Sequence, residues 1–176
     1  MSRNEALPEG VGLRRLQMFP DERGIFAEIY RREWMPGEPA VQWNLVRSDG
    51  GVMRGVKVHP RHDDYLVVVE GTLVVGLRDL RRNSTTFGVT ALSELRGTDP
   101  SVLTIPAGVA HGLYNANPSL FLIGVTRYHD PDDEVSCRWD DPALGIPWPI
   151  STARISPSDA QGYPLEEVIE IVARRG

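Results

Sequence analysis

The chain reads as an all-β sandwich or barrel with short flanking helices. Three observations carry that reading: short apolar runs rich in β-branched residues, turn chemistry between them, and a single helical period confined to the C-terminal end. Tyr65–Val69 and Thr72–Leu77 are strand-like runs separated only by Glu70-Gly71, which reads as a hairpin. Ser101–Ile105 is a third strand, stopped by Pro106, and Leu120–Tyr128 a fourth. Ser48-Asp49-Gly50-Gly51, Arg82-Asn83-Ser84 and Asn115-Ala116-Asn117-Pro118 supply turns. Over Pro164–Arg175, Leu165, Val168, Ile169 and Val172 share one helical face. Pro164 suits the first helical position, Glu166 and Glu167 the positive end, and Arg174 and Arg175 the negative end.

The 176 residues are enough for one domain with a real core and short for two. Residues 1–176 are read as that single domain, its core at about 40–130, with an N-terminal strand segment and the C-terminal helix packed on it. Hydrophobic content of 41% and charged content of 24% are ordinary for a globular chain. No apolar run approaches a membrane span, and the opening MSRNEALPEG lacks the apolar stretch of a signal peptide. One cysteine, Cys137, excludes an internal disulfide framework, so a cytoplasmic protein is expected. A net charge of −5 without a Lys/Arg block argues against a nucleic-acid surface. It leaves phosphate ligands open, because a few arginines in a cleft make a local positive field.

Spacing then narrows the fold. Gly51, Lys57, His59, Asp64 and Gly71, followed by Pro106, Gly108, His111 and Asn115, resemble the two sequence motifs of the cupins, which implies a jelly roll. In a metal-binding cupin the slots at 57, 59, 64 and 111 would read His, His, Glu, His; here they read Lys, His, Asp, His.

A longer resemblance covers about residues 11 to 170. Asp21-Glu-Arg-Gly-Ile-Phe-Ala-Glu28, Gln42-Trp-Asn44, Gly51-Val-Met-Arg-Gly55 and Arg78-Asp-Leu-Arg81 stand in order. Ser84-Thr-Thr-Phe-Gly88, Ile105-Pro-Ala-Gly-Val-Ala-His-Gly112, Trp139-Asp-Asp-Pro142, Ile146-Pro-Trp-Pro149 and Ser156-Pro-Ser-Asp159 follow. The ordered set resembles the dTDP-4-dehydrorhamnose 3,5-epimerase family. That resemblance implies a cupin homodimer without a cofactor, whose ligand is a dTDP-linked deoxyhexose. It assigns substrate binding to Arg23, Phe26, Glu28, Gln42, Asn44, Arg54 and His111. Arginine suits such work because its planar fork meets phosphate oxygens two at a time.

Inverting a carbon beside a ketone needs a base on one face, a proton donor on the other, and positive or hydrogen-bonding groups at the enolate oxygen. In the resemblance, the slot of the family's histidine base holds Lys57, the slot of its enolate-stabilising lysine holds Asp64, and the slot of its donor tyrosine holds Ile123. The aspartate that orients the base corresponds to Asp159. Isoleucine has no proton to give, so Tyr65, Tyr128 or His129 would have to supply one.

Three readings of Lys57 fit. It is catalytic with His59 and Asp159, either as a desolvated amine acting as base or Schiff-base former, or as an ammonium polarising the keto oxygen while His59 or His62 takes the proton. Alternatively His59, Asp64 and His111 bind a divalent metal beside it. Or Lys57 and Asp64 form a buried ion pair in an abandoned site. The leading expectation is an epimerase or isomerase of a nucleotide-linked 4-keto-6-deoxyhexose with altered catalytic residues. A non-catalytic sugar-nucleotide-binding protein and a metal-dependent small-molecule cupin are the alternatives. His62 reads as an exposed loop residue, Asp130–Glu134 as a solvated turn, Cys137 as a packed residue, Trp139 and Trp148 as packing and dimer residues, and Gly24 and Gly55 as backbone-geometry positions.

Overall fold

Two five-stranded antiparallel sheets face each other in the computed structural model, which describes residues 6–35 and 37–175. The strands are β1 (Gly12–Arg15), β2 (Met18–Asp21), β3 (Gly24–Ala27), β4 (Gln42–Ser48), β5 (Val52–Val58), β6 (Asp64–Glu70), β7 (Thr72–Asp79), β8 (Thr90–Arg96), β9 (Ser101–Ile105), β10 (Val109–Asn115), β11 (Ser119–Val125) and β12 (Val135–Ser136). One sheet runs β1-β9-β6-β11-β4 and the other β12-β5-β10-β7-β8, while β2 and β3 form a separate ribbon. Two helices, α1 (Pro157–Ala160) and α2 (Leu165–Arg175), close the chain. No helix among the described residues is long and apolar enough to cross a membrane.

The sheets are held together by side chains that alternate inward along each strand. Leu66, Val68, Leu103, Ile105 and Phe121 from one sheet meet Leu73, Val75, Leu77, Ala91 and Leu113 from the other. The second sheet is covered on its outer face as well. There Val56, Val58 and Ala110 pack with Val135, Cys137, Leu144 and Ile146, and with Leu165, Val168 and Val172 of α2. With both faces covered, β10 is buried along nearly its whole length. Trp139 and Trp148 pack on the same cluster, and Cys137 is buried within it, its thiol pushed up to about 12 by desolvation.

The expected hairpin at Glu70-Gly71 is not one. β6 and β7 follow each other in sequence but belong to opposite sheets, β6 pairing with β9 and β11, and β7 with β8 and β10. Gly71 turns the chain across the sandwich with φ of 82°, and a Cβ there would stand 2.7 Å from the Pro118 carbonyl oxygen. The strand expected over Leu120–Tyr128 ends at Val125. The C-terminal helix lies where its period places it, with Leu165, Val168 and Val172 buried. Pro164 stands one residue before the helix, its carbonyl accepting from the Val168 N–H at 3.2 Å.

A buried polar knot pins the end of β7. The Asp79 carboxylate accepts from Arg81 Nε at 2.9 Å and Nη2 at 2.8 Å, and from the Ser84 and Thr86 hydroxyls at 2.6 Å each. Burial alone would raise its pKa, but Arg81 and then the two hydroxyls hold it down at about 2, against 3.8 for an ordinary aspartate. The folded value is the depressed one, so the stabilisation is whole above pH 3.8 and is lost as pH falls toward 2. Urea unfolding of Asp79→Asn should show a deficit of roughly 2 kcal/mol at neutral pH. That deficit should shrink as both proteins are titrated down through this window; a constant deficit would contradict the assignment.

Candidate functional site

A cavity of about 440 Å³ opens between the sheets, lined by β4, β5, β10, β11 and the segment around α1. On β4, Gln42, Asn44 and Val46 face it, while Trp43 and Leu45 point outward and are exposed. On β5, Val56 and Val58 face the outer cluster, so Lys57 between them faces the cavity. Simple alternation would then send Arg54 to the other side. A bulge prevents this: across β5 and β10, His111 pairs with Lys57 and Leu113 with Arg54, so β5 carries one extra residue. Gly55 sits in that bulge with φ of 93°, where a Cβ would come within 2.9 Å of the Lys57 nitrogen and 3.0 Å of the His111 carbonyl oxygen. The bulge is what lets Arg54 and Lys57 line one cavity.

Lys57 is not paired with Asp64, because β5 and β6 lie in opposite sheets. Its ammonium donates to Glu134 Oε1 at 2.6 Å and to Ser136 Oγ at 2.8 Å, and lies 3.3 Å from Asp159 Oδ1. Burial lowers the lysine pKa, but Glu134 and then Asp159 outweigh it and leave the group above its ordinary value. Asp159 is placed by the start of α1, where Ser156 Oγ donates to its Oδ2 at 2.9 Å and accepts from its N–H at 3.0 Å.

Asp64 instead meets three imidazoles. His111 Nε2 is 3.5 Å from its Oδ2, His59 Nε2 is 3.7 Å from the same oxygen, and His62 Nε2 is 3.7 Å from Oδ1. His62 is buried rather than exposed, against Asp133, the one buried residue of a turn that is otherwise exposed as expected. Asp133, itself buried, accepts at Oδ2 from His62 Nδ1 at 2.7 Å, and its carbonyl oxygen stands 3.0 Å from His59 Nδ1. Arg61 closes the loop from outside, donating to Asp133 Oδ1 at 3.2 Å and Asp130 Oδ2 at 2.9 Å. A carboxylate with such partners can be buried, and that is why Asp133 packs onto the site while Asp130, Asp132 and Glu134 stay exposed. Burial holds His59 below its ordinary pKa, with Asp64 opposing. For His62 burial acts in the same direction, but the Asp64 and Asp133 carboxylates prevail and raise it. Burial would raise Asp64 too; the imidazoles around it hold it below the usual carboxylate range.

The remaining expected residues divide. Gln42, Asn44, Arg54, His111 and Ile123 line the cavity, with Gln42 Nε2 donating to Asn44 Oδ1 at 2.9 Å and Arg54 Nε to Ser48 Oγ at 3.3 Å. Arg23, Phe26 and Glu28 are not brought to it. Arg23 and Phe26 sit on the β2–β3 ribbon, where Arg23 pairs with Asp21, and Glu28 pairs with Arg31. Of the three alternative proton donors, only His129 reaches the cavity; Tyr65 Oη donates to the Glu38 carbonyl and Tyr128 is 73% exposed. Asp133, Glu134 and Ser136 went unrecognised in the sequence. The signal was the acidic run itself, with a lysine and an arginine elsewhere in the chain to receive it.

The architecture is thus a jelly roll whose cavity joins amide and guanidinium groups on one side to a cluster of ionisable side chains on the other. A model of the dTDP-4-dehydrorhamnose 3,5-epimerase family matches residues 6–167, and the chain belongs to that family. It is 36% identical over 165 residues to the dTDP-4-dehydrorhamnose 3,5-epimerase of Neisseria gonorrhoeae, covering 89% of this chain and 50% of that one, so it spans half the length of that relative. The enzyme of the same name from Pseudomonas aeruginosa is 36% identical over 155 residues, covering 83% of this chain and 86% of its own length. The dTDP-6-deoxy-D-glucose-3,5-epimerase of Legionella pneumophila, solved in complex with dTDP-4-keto-L-rhamnose, superimposes with a TM-score of 0.84 at 30% identity, covering 92% of this chain and 91% of that one.

Asp133→Ala would strip a buried carboxylate from both Arg61 and His62. It should cost about 3 kcal/mol in urea unfolding. A cost below about 0.5 kcal/mol, the range of ordinary surface substitutions, would mean that this turn does not hold the site together.

Proposed function

We propose that the cavity binds a dTDP-linked 4-keto-6-deoxyhexose and enolises it beside the ketone, as an epimerase or isomerase whose catalytic residues differ from the family's usual set. One observation carries the reading: Gln42, Asn44 and Arg54 share a single cavity with Lys57 and four imidazoles, His59, His62, His111 and His129. The first group supplies donors for the polar and phosphate parts of the ligand. The second supplies a fixed positive charge and groups that can exchange a proton. Family membership and the ligand of the Legionella relative support the choice of dTDP and of a keto sugar.

In this reading Lys57 is neither base nor Schiff-base former. Two carboxylates at 2.6 and 3.3 Å keep it an ammonium, and an ammonium can stabilise the enolate oxygen but cannot take the proton. Asp159 is a positioning residue for Lys57. The proton is carried by a cavity imidazole, since Ile123 has none to offer. A homodimer belongs to the same reading. β4 is a sheet edge with Trp43 and Leu45 exposed, and the β2–β3 ribbon exposes Phe19, Ile25 and Phe26. Arg23, Phe26 and Glu28 act on ligand only if they do so across a subunit boundary.

The test is incubation with dTDP-4-keto-6-deoxyglucose in deuterated water, followed by proton NMR. The C3 or C5 proton should be lost to solvent, and Lys57→Ala should slow that loss by about 100- to 1000-fold. Absence of exchange with dTDP still bound would replace the catalytic reading with that of a sugar-nucleotide-binding protein.

A further inference from the structure

We propose that His59, His62, Asp64 and His111 form a binding site for one divalent transition-metal ion at the floor of the cavity. Asp64 is 4% exposed, yet no lysine or arginine among the described residues pairs with its carboxylate. What surrounds it is a ring of imidazole nitrogens at 3.5, 3.7 and 3.7 Å. These separations exceed those of ordinary hydrogen bonds. They stand within a few tenths of an ångström of two ligands sharing one ion, since groups about 2.0–2.2 Å from a metal in tetrahedral array stand roughly 3.3–3.6 Å apart. One ligand atom each of His59, His62 and Asp64 lies within 4.8 Å of the others, and His111 faces Asp64 Oδ2 beside His59.

The supporting shell points the same way. Every imidazole in the cluster is engaged through Nδ1, His59 by the Asp133 carbonyl oxygen, His62 by the Asp133 carboxylate and His111 by the Val109 carbonyl oxygen at 3.3 Å. The acceptors all stand at Nδ1, so the tautomer that donates outward is the one that turns each Nε2 lone pair toward Asp64, as a metal requires. His62 is the residue that makes the set. Without it the cluster has two imidazoles and a carboxylate; with it the donor number and type suit Zn(II), Co(II) or Fe(II). Lys57 does not oppose the ion, because Glu134, Ser136 and Asp159 engage its ammonium. On the proposed function, an ion here would offer a coordination position to a keto or hydroxyl oxygen, and His129 would be the imidazole left free to move a proton.

The site itself is tested without substrate. Protein freed of metal by chelator dialysis should take up one equivalent of Zn(II) by calorimetry, and one of Co(II) with visible bands of low coordination number. His62→Gln and Asp64→Asn, checked for folding by circular dichroism, should abolish saturable uptake, and Asp133→Asn should weaken it about 10- to 100-fold. If the folded wild-type protein takes up no stoichiometric Zn(II), Co(II), Fe(II) or Mn(II), or if folded His62→Gln and Asp64→Asn bind as it does, the proposal is wrong. Neither result bears on whether the cavity binds dTDP, so the two readings fail independently.

Discussion

The arrangement of the cavity depends on one short segment being pinned against the sheet. Asp133 and Glu134 are neighbours in sequence, and between them they orient two imidazoles and one ammonium. The segment is held from both ends: Arg61 grips Asp130 and Asp133, and β12 adds Val135 and Ser136 to the edge of β5. A carboxylate such as Asp133 can be this buried only because each oxygen has a cationic or imidazole partner. Its removal would therefore strip Arg61 and His62 of a shared partner at once, while His59 meets the backbone carbonyl of the same residue and Lys57 meets Glu134, Ser136 and Asp159.

The sandwich contributes the other constraint, which is parity. Strand alternation sends Val56 and Val58 into the packing beneath α2 and Lys57 into the cavity. The bulge at Gly55 breaks that alternation once, and only there can Arg54 join Lys57 on the inner side. Covering the outer face with α2 and residues 135–148 makes the second sheet rigid on both sides, so that its inward side chains are placed by packing and not by solvent-exposed loops.

Much of this was legible in the chain. The strands, the C-terminal helix and the family followed from β-branched runs, one apolar helical face and ordered motifs. What was misread has physical reasons. Glu70-Gly71 looked like a hairpin because a corner between sheets and a tight turn both call for a glycine at positive φ. Lys57 and Asp64 looked like partners because the cupin resemblance put them on neighbouring strands, but the loop between them crosses from one sheet to the other. His62 and Asp133 looked solvated because each is strongly polar alone; they are buried because they pair across the fold, while the rest of the run Asp130–Glu134 stays exposed. Local composition does not encode a pairing of that range.

The account rests on Lys57 being a fixed cation in the slot where the family resemblance expects a neutral base. The direct measurement is nitrogen-15 NMR of the lysine side-chain ammonium at neutral pH. A slowly exchanging ammonium signal should be present, vanish in Lys57→Arg and shift when dTDP-4-keto-6-deoxyglucose is added. A neutral amine at position 57, or an ammonium signal indifferent to the ligand, would contradict it.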